Sequence, residues 1–497
     1  MNFPKIMIAA AKSGSGKTTI TCAFLKQLLS RGRHPVSFKC GPDYIDPMFH
    51  EKVLKIPSKN LDTFFSDAKQ VRALYAMEQP GHDIAVLEGV MGLYDGLGGI
   101  REEGSSYHLA ETLGVPIVLV VDAHGMGRSV IPLIAGFLQY DKKKLIRGVI
   151  LNRTRKMFFD TIAPLIEEEL SIKALGCIPN EKELSLGSRH LGLILPDEVN
   201  ELNLQLEKAG QLLEKYVDVN AMIQIAEQGI EKDFYKQEIL YPKTKYSAPN
   251  SQEKITEQSL EQIAYGHRKS AISKKVRIAV AQDEAFCFYY RDNLKMLEYY
   301  GAELVPFSPL HDTELPENIQ GLLLGGGYPE LYAKELSENE SMRRSIKAAL
   351  EKKLPSLAEC GGFMYLHEKL IDKEGNSFSM VGAIPAECHD TGKLVRFGYV
   401  ELTVANRNEG AGDNEKTSEA TEIAGFLQKN DKICAHEFHY FDSTDNGAAC
   451  TATKPVTGRN WKCIHASQEH FWGFPHLYYP SNPEFVVRFI ERMIRCR

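Results

Sequence analysis

Two short stretches hold the side chains best suited to chemistry in this 497-residue sequence. The first is Ala11-Lys12-Ser13-Gly14-Ser15-Gly16-Lys17-Thr18-Thr19, directly after the apolar residues 6–10. Small residues followed by Lys-Thr suit a loop whose backbone N–H groups converge on phosphate at a helix N-terminus. Lys17 is then placed to meet the β- and γ-phosphates of ATP, and Thr18 to coordinate Mg2+. Lys12, Gly14, Ser15, Gly16 and Thr19 complete the nucleotide-binding set. Ala11 stands where the full G-x-x-x-x-G-K-[ST] pattern begins with glycine. The plainer alternative, a Gly-Ser turn opening an ordinary helix, is disfavoured because strand, loop and helix signals follow in the order the phosphate motif requires.

The second stretch is Glu359-Cys360-Gly361-Gly362, after the strand-like "LPSLA". Glycines beyond a cysteine permit a tight strand-to-helix turn, and a helix N-terminus is expected to lower the thiol pKa. Cys360 needs a base from elsewhere in the chain, and His476 in "GFPHLYY" supplies one. Gly326 and Gly327 in "LLLGGGYPE", with Gly361, offer N–H groups for an oxyanion hole. The common fate of a cysteine after a strand is burial as a small hydrophobe. The Cys-Gly-Gly turn, with a triple glycine one βα unit earlier, argues against that here.

Carboxylates cluster at strand ends in the first half. "GPDYIDP" supplies Asp43 and Asp46 after "PVSFK", and "LEGVMGLYDG" supplies Glu88 and Asp95. In open α/β sheets ligands bind at the carboxyl ends of the strands. So many acids in one place repel unless a cation compensates, which suggests Mg2+ held by Thr18, Asp43 and Glu88, with Asp46, Glu88 and Asp95 as acid-activating residues. Singly, each acid also reads as a cap or turn former, Asp95 in "YDG" above all. Asn152 and Arg153 follow another strand, where the Asn152 amide is placed to read an adenine edge.

These residues need a frame. Apolar, β-branched runs alternate with helix-length segments from residue 5 to 180, predicting a parallel sheet covered on both faces. Residues 196–228 have helical periodicity. A polar, aperiodic stretch follows, and a second α/β pattern begins at "VRIAVAQ". The expected fold is α/β with two domains, each on a mostly parallel sheet: an ATP-binding domain over 1–228, a linker over 229–274, and a second domain over 275–497. The polar run at 406–422 reads as a mobile surface insertion. Net charge is −6, so no basic character points to nucleic acid or to an anionic membrane. The ten cysteines form no C-x-x-C pair, which suits reduced thiols in the cytoplasm. No window reaches a membrane span, and the N-terminal apolar run is too short for a signal peptide.

With those residues in view the sequence resembles the cobyrinate a,c-diamide synthase family. "KSGSGKTT", "GPDYIDP", "LEGVMGLYDG", "SRHLGL", "AFCFYY", "FSPL", "GGGYPE", "AECGGFMYL" and "HEFHY" occur in the family's order. The likeness covers nearly all the chain except the linker and the 405–425 insertion. It implies a dethiobiotin-synthetase-like, P-loop NTPase-like first domain and a class I glutamine amidotransferase second domain. It further implies that Cys360, activated by His476, hydrolyses L-glutamine. ATP would phosphorylate the c and then the a acetate of a corrinoid polycarboxylate, and ammonia would displace the phosphate. Asp43 and Tyr44 would lie on the substrate side, and 188–193 and 436–440 would be structural or substrate-side elements. A homodimer is left open. The same chemistry on hydrogenobyrinate or nickel sirohydrochlorin is the near alternative, and a nucleotide-dependent switch with a glutamine-sensing module the distant one. The chain departs from the family at Ala435 and Phe441, flanking "HEFHY". Tyr478 occupies the place, two residues after the histidine, where many class I amidotransferases carry an acid.

Overall fold

The computed structural model describes residues 3–180, 196–229, 256–267, 275–405 and 423–496. The "SRHLGL" segment at 188–193, most of the expected linker and the 406–422 run lie outside the described residues. Internal packing divides the chain into two units, Met1–Ala264 and Tyr265–Arg497.

The first unit is a doubly wound sheet. Its elements are β1 (Lys5–Ala10), α1 (Lys17–Ser30), β2 (Pro35–Cys40), α2 (Ile45–Lys52), β3 (Ser58–Leu61), α3 (Ala68–Met77), β4 (Ile84–Glu88) and α4 (Ser106–Leu113). They continue through β5 (Ile117–Asp122), α5 (Val130–Tyr140), β6 (Ile146–Asn152), α6 (Lys156–Leu170) and β7 (Lys173–Ile178). The seven strands run parallel in the order β3-β2-β4-β1-β5-β6-β7. The central strands are apolar apart from one charged residue at an end of each, Lys5, Glu88 and Asp122, because helices bury both faces of the sheet. Helix starts carry their own signals: Asp67 accepts from Gln70 N and Ser105 from His108 N.

The helical stretch at 196–228 is two helices, α7 (Pro196–Tyr216) and α8 (Val219–Gln228). Asp218 breaks it by capping α8 through Ala221 N, while its own N–H is drawn to Leu175 O. Leu206, Ala209 and Leu213 of α7 join Ile20 and Phe24 of α1 in the core. Strand β3 is an element that sequence reading missed. Its residues, Ser-Lys-Asn-Leu, lack the apolar signature, yet all four are buried because their polar groups are paired. Lys59 meets Glu78, and Asn60 Nδ2 donates to Gly41 O and Asp43 O.

The second unit has a six-stranded sheet. Five strands, including Ser356–Glu359 and His470–Gly473, are parallel, and His465–Ala466 pairs antiparallel at the edge. A separate five-stranded antiparallel sheet contains Arg396–Val404, Lys432–His439 and His476–Leu477. That sheet carries the "HEFHY" strand to the end of the parallel one, which alternation of helix and strand alone did not foretell.

Candidate active sites

The phosphate loop leaves β1 and enters α1 through Gly14 and Gly16, both in the left-handed region at φ +71° and +90°. A Cβ on Gly16 would lie 2.3 Å from Asn152 Nδ2. Asn152 is the reason: its amide donates to Ser15 O at 2.7 Å and its Oδ1 accepts from Arg153 N. In this geometry the amide is bonded to the loop backbone. Ser15 Oγ closes the loop onto Lys12 O, and Lys12 itself is exposed beside Asp122. Thr19 sits in the first turn of α1, half-buried. Lys17 is buried and donates to Met91 O at 2.6 Å. Burial, then the nearby Lys39 ammonium, hold its pKa down to about 8 against the pull of Glu88, Asp46 and Asp95. A triphosphate at this ammonium would favour its charged form.

The parallel register explains the neighbouring charges, since Glu88 of β4 stands opposite Lys39 of β2 and Ile8 of β1. Lys39 Nζ lies 2.5 Å from Asp46 Oδ2 and 2.9 Å from Glu88 Oε1, all three buried. Although burial opposes it, the attraction of Glu88 and Asp46 holds the Lys39 pKa well above its ordinary value. Thr18 Oγ1 donates to Glu88 Oε1 at 2.5 Å. Burial and the charge of Asp46 push the Glu88 pKa up. One cation beside the clustered acids is thus Lys39, a residue the sequence reading passed over. Its signal was a lysine one residue before the end of the strand "PVSFKC", all of which is buried.

Glu88 Oε2 is buried and makes no hydrogen bond; His50 Nε2 is 3.9 Å away. A hard cation beside phosphate oxygens suits that carboxylate oxygen and the Thr18 hydroxyl. Asp43 is committed differently, its Oδ1 accepting from Ile45 N in the turn before α2, although its charge is felt at Lys39. Asp95 Oδ2 accepts from Gly92 N, and its charge is felt at Lys17. Tyr44 is buried just before α2. Lys17, Thr18, Asp46 and Glu88 therefore converge, while Asp43 and Asp95 stand around them in turns. Among the described residues no three His, Cys, Asp or Glu side chains form a metal-holding cluster.

In the second unit, strand Ser356–Glu359 pairs with His470–Gly473, with Glu359 opposite Gly473. The next residue, Cys360, donates its N–H to Gly473 O at 2.9 Å. It sits at φ +46°, ψ −103°, strained for a residue with a side chain, and starts the short helix Gly361–Tyr365. Glycines surround the turn because side chains would collide. A Cβ on Gly362 would lie 2.2 Å from Leu324 O, and one on Gly361 3.1 Å from Gly327 N. Gly327 and Gly361, two expected oxyanion-hole members, are thereby neighbours. Gly326 packs under the base, for its Cβ would meet His476 Cε1 at 2.3 Å.

Both reactive side chains are buried. Burial pushes the Cys360 pKa up, with the Glu330 charge adding to it and the Gly361 N–H opposing. The expectation that a helix N-terminus would leave a lowered thiol pKa is corrected: one turn of helix does not offset full desolvation. His476 is held neutral, its pKa lowered to about 3 by burial and then by His436 and His439. His436 stands opposite His476 in the antiparallel sheet. Along the "HEFHY" strand Glu437 and His439 turn inward, lining a cavity with Arg396, Asp442 and Trp461.

Residues 6–194 match the CobQ/CobB/MinD/ParA nucleotide-binding domain family, and residues 277–472 the CobB/CobQ-like glutamine amidotransferase domain family. Over the whole chain it is similar to the cobyrinate a,c-diamide synthase of Caldanaerobacter subterraneus, 38% identical over 98% of this chain and 97% of that one. The synthases of Clostridium acetobutylicum (37%, 98% and 99%) and Listeria innocua (35%, 97% and 98%) are similar to it in the same way. Among the described residues no helix is long and apolar enough to cross a membrane.

Proposed function

The chain belongs to the cobyrinate a,c-diamide synthase family, and from that membership we propose that it converts the a and c acetates of cobyrinate to amides, using ATP and glutamine. The observation that carries the reading is the pairing, in one chain, of a phosphate loop backed by buried carboxylates with a strained cysteine at the end of one strand and a buried neutral histidine just beyond the strand paired to it.

In the second unit His476, unprotonated at neutral pH, accepts the Cys360 proton as sulfur adds to the glutamine amide carbon. Oxyanion charge is taken by the N–H groups of Gly327 and Gly361. Ammonia leaves with a proton returned by His476, and water then releases glutamate. In the first unit Lys17 and the loop N–H groups hold the ATP phosphates. The ring carboxylate attacks the γ-phosphorus, ADP departs, and ammonia displaces phosphate from the acyl phosphate. Asp46 and Asp95 border this site, with Asp43 and Tyr44 facing the ring substrate. Lys39 pairs with Asp46 and Glu88 and fixes them, so that Thr18 and Glu88, with Asp43 in the surrounding turn, would hold Mg2+. The metal would neutralise charge developing on the transferred phosphoryl group.

The test is an ATP-, Mg2+- and glutamine-dependent assay offering cobyrinate, hydrogenobyrinate and nickel sirohydrochlorin side by side, with mass spectrometry of the rings. Two amides on cobyrinate are expected. Amidation of another ring alone would reassign the substrate. ATP hydrolysis without amidation of any ring would favour the regulatory-switch reading.

A further inference from the structure

The residues flanking His476 are held by two buried side chains that the mechanism above does not use. Glu359 Oε2 accepts from Leu477 N at 3.2 Å, and Glu359 Oε1 accepts from Tyr479 Oη–H at 2.9 Å. From the other side Asn293 Nδ2 donates to Leu477 O, and Asn293 Oδ1 accepts from Tyr479 N, both at 2.8 Å. Four hydrogen bonds thus hold Leu477 and Tyr479, just after the base. Only one of the two clamping residues is also joined covalently to the nucleophile, because Glu359 immediately precedes Cys360.

Position 478 does not do this work. Tyr478 Oη donates to Asp292 Oδ2 at 3.3 Å, and its N–H goes to Cys434 O. Its side chain is therefore directed to Asp292. Meanwhile the strand bearing Glu359 is locked to the strand leading to His476, with Glu359 opposite Gly473 and Cys360 N bonded to Gly473 O. Glu359 closes this ladder beyond Gly473, where regular pairing ends, and so sets the segment of the base against the strand of the nucleophile.

We propose that Glu359 is a positioning residue that fixes His476 relative to Cys360, in place of an acid following the histidine. The role rests on the glutaminase reading given above. The two carboxyl oxygens of Glu359 accept from the backbone of Leu477 and the hydroxyl of Tyr479, and it acts through them. Burial pushes its pKa up to about 8, opposed by those two donors. At neutral pH it is therefore mainly a neutral hydrogen-bonding group. That suits a neighbour of a thiol that must lose its proton, since a full negative charge there would hold the proton on.

The experiment compares Glu359→Ala and Glu359→Gln in the full chain, reading glutamate release from L-glutamine and, separately, amidation driven by ammonium chloride. A misplaced base costs the chemical step rather than substrate binding. Glu359→Ala is therefore expected to lower kcat for glutamine about a hundredfold, with KM changed less than about threefold. Ammonium-driven amidation should stay at the wild-type rate, which also shows that the chain has folded. Glu359→Gln keeps an acceptor for Leu477 N–H and should recover to within about tenfold of wild type. Tyr479→Phe, which removes one arm only, should fall between them. Unchanged glutamine hydrolysis in Glu359→Ala would overturn the proposal. So would a parallel loss of ammonium-driven amidation, or a Gln variant no better than the Ala variant. A wild-type chain that releases no glutamate would instead overturn the glutaminase reading, and the positioning role with it.

Discussion

The two sites solve the problem of burying reactive groups in opposite ways. Around the phosphate loop basic and acidic groups are paired: Lys39 lies between Asp46 and Glu88, and Lys17 stands near all three. Around Cys360 they are neutral, a thiol with a raised pKa, a histidine unprotonated at neutral pH and the largely protonated Glu359. The first arrangement suits a reaction whose substrates, triphosphate and carboxylate, arrive with charge that fixed ions must match. The second suits a neutral amide substrate, where charge arises only as the proton moves from sulfur to imidazole. A buried charged cluster needs every partner, whereas a buried neutral pair needs position above all.

Mutation separates the two most sharply at their centres. Lys17→Ala should abolish amidation with either glutamine or ammonium while glutamate release continues, as assayed by ring product and glutamate in one reaction. Retained ammonium-driven amidation would remove the phosphate loop from the mechanism. Cys360→Ser should do the reverse, stopping glutamine-dependent amidation and leaving the ammonium-driven reaction intact. Survival of glutamine-dependent amidation would sink the assignment of Cys360.

Lys39→Met tests the charged side of the contrast directly. Removing the ammonium leaves Asp46 and Glu88 facing each other in the core, a loss of about 3–5 kcal/mol by analogy with broken buried pairs. Chemical denaturation followed by a probe in the first unit should report it, with glutamine hydrolysis unaffected. An unchanged midpoint would mean that the cluster is not held by its cation.

The neutral side predicts a pH dependence. Burial lowers the pKa of His436 and His476 to about 3, and of His367, His439 and His470 to about 4. Below their unfolded value of about 6.5 the unfolded chain takes up protons that the folded unit does not, so stability falls as pH drops. Burial also raises Glu330 and Glu437 to about 7 and Glu359 to about 8. These hold protons in the folded state that the unfolded chain has released, so their contribution is lost as pH rises towards 8. The five histidines outweigh the three carboxyls between about pH 4.5 and 6.5. The second unit should therefore be most stable near pH 6.5 and weaken on both sides, a shift of a few degrees in thermal melts. A midpoint rising steadily from acid to pH 8 would contradict the neutral description.

Local pattern determined much of this protein in advance. Strand, glycine loop and helix were legible at Lys17 and again at Cys360, because such turns are made from consecutive residues. The alternation of apolar strands with helices was likewise enough for six of the seven strands of the parallel sheet. What linear reading could not reach were contacts made by register and by distant segments. Strand β3 is polar in sequence and becomes a strand because its partners bury it. Lys39 becomes the counter-ion of Glu88 only because β2 lies beside β4 in one particular register. Asn152 turns to Ser15 across 137 residues, and Glu359 reaches Leu477 across 118. The thiol's raised pKa follows the same logic, since desolvation is a property of everything packed around Cys360 and not of the helix that begins after it.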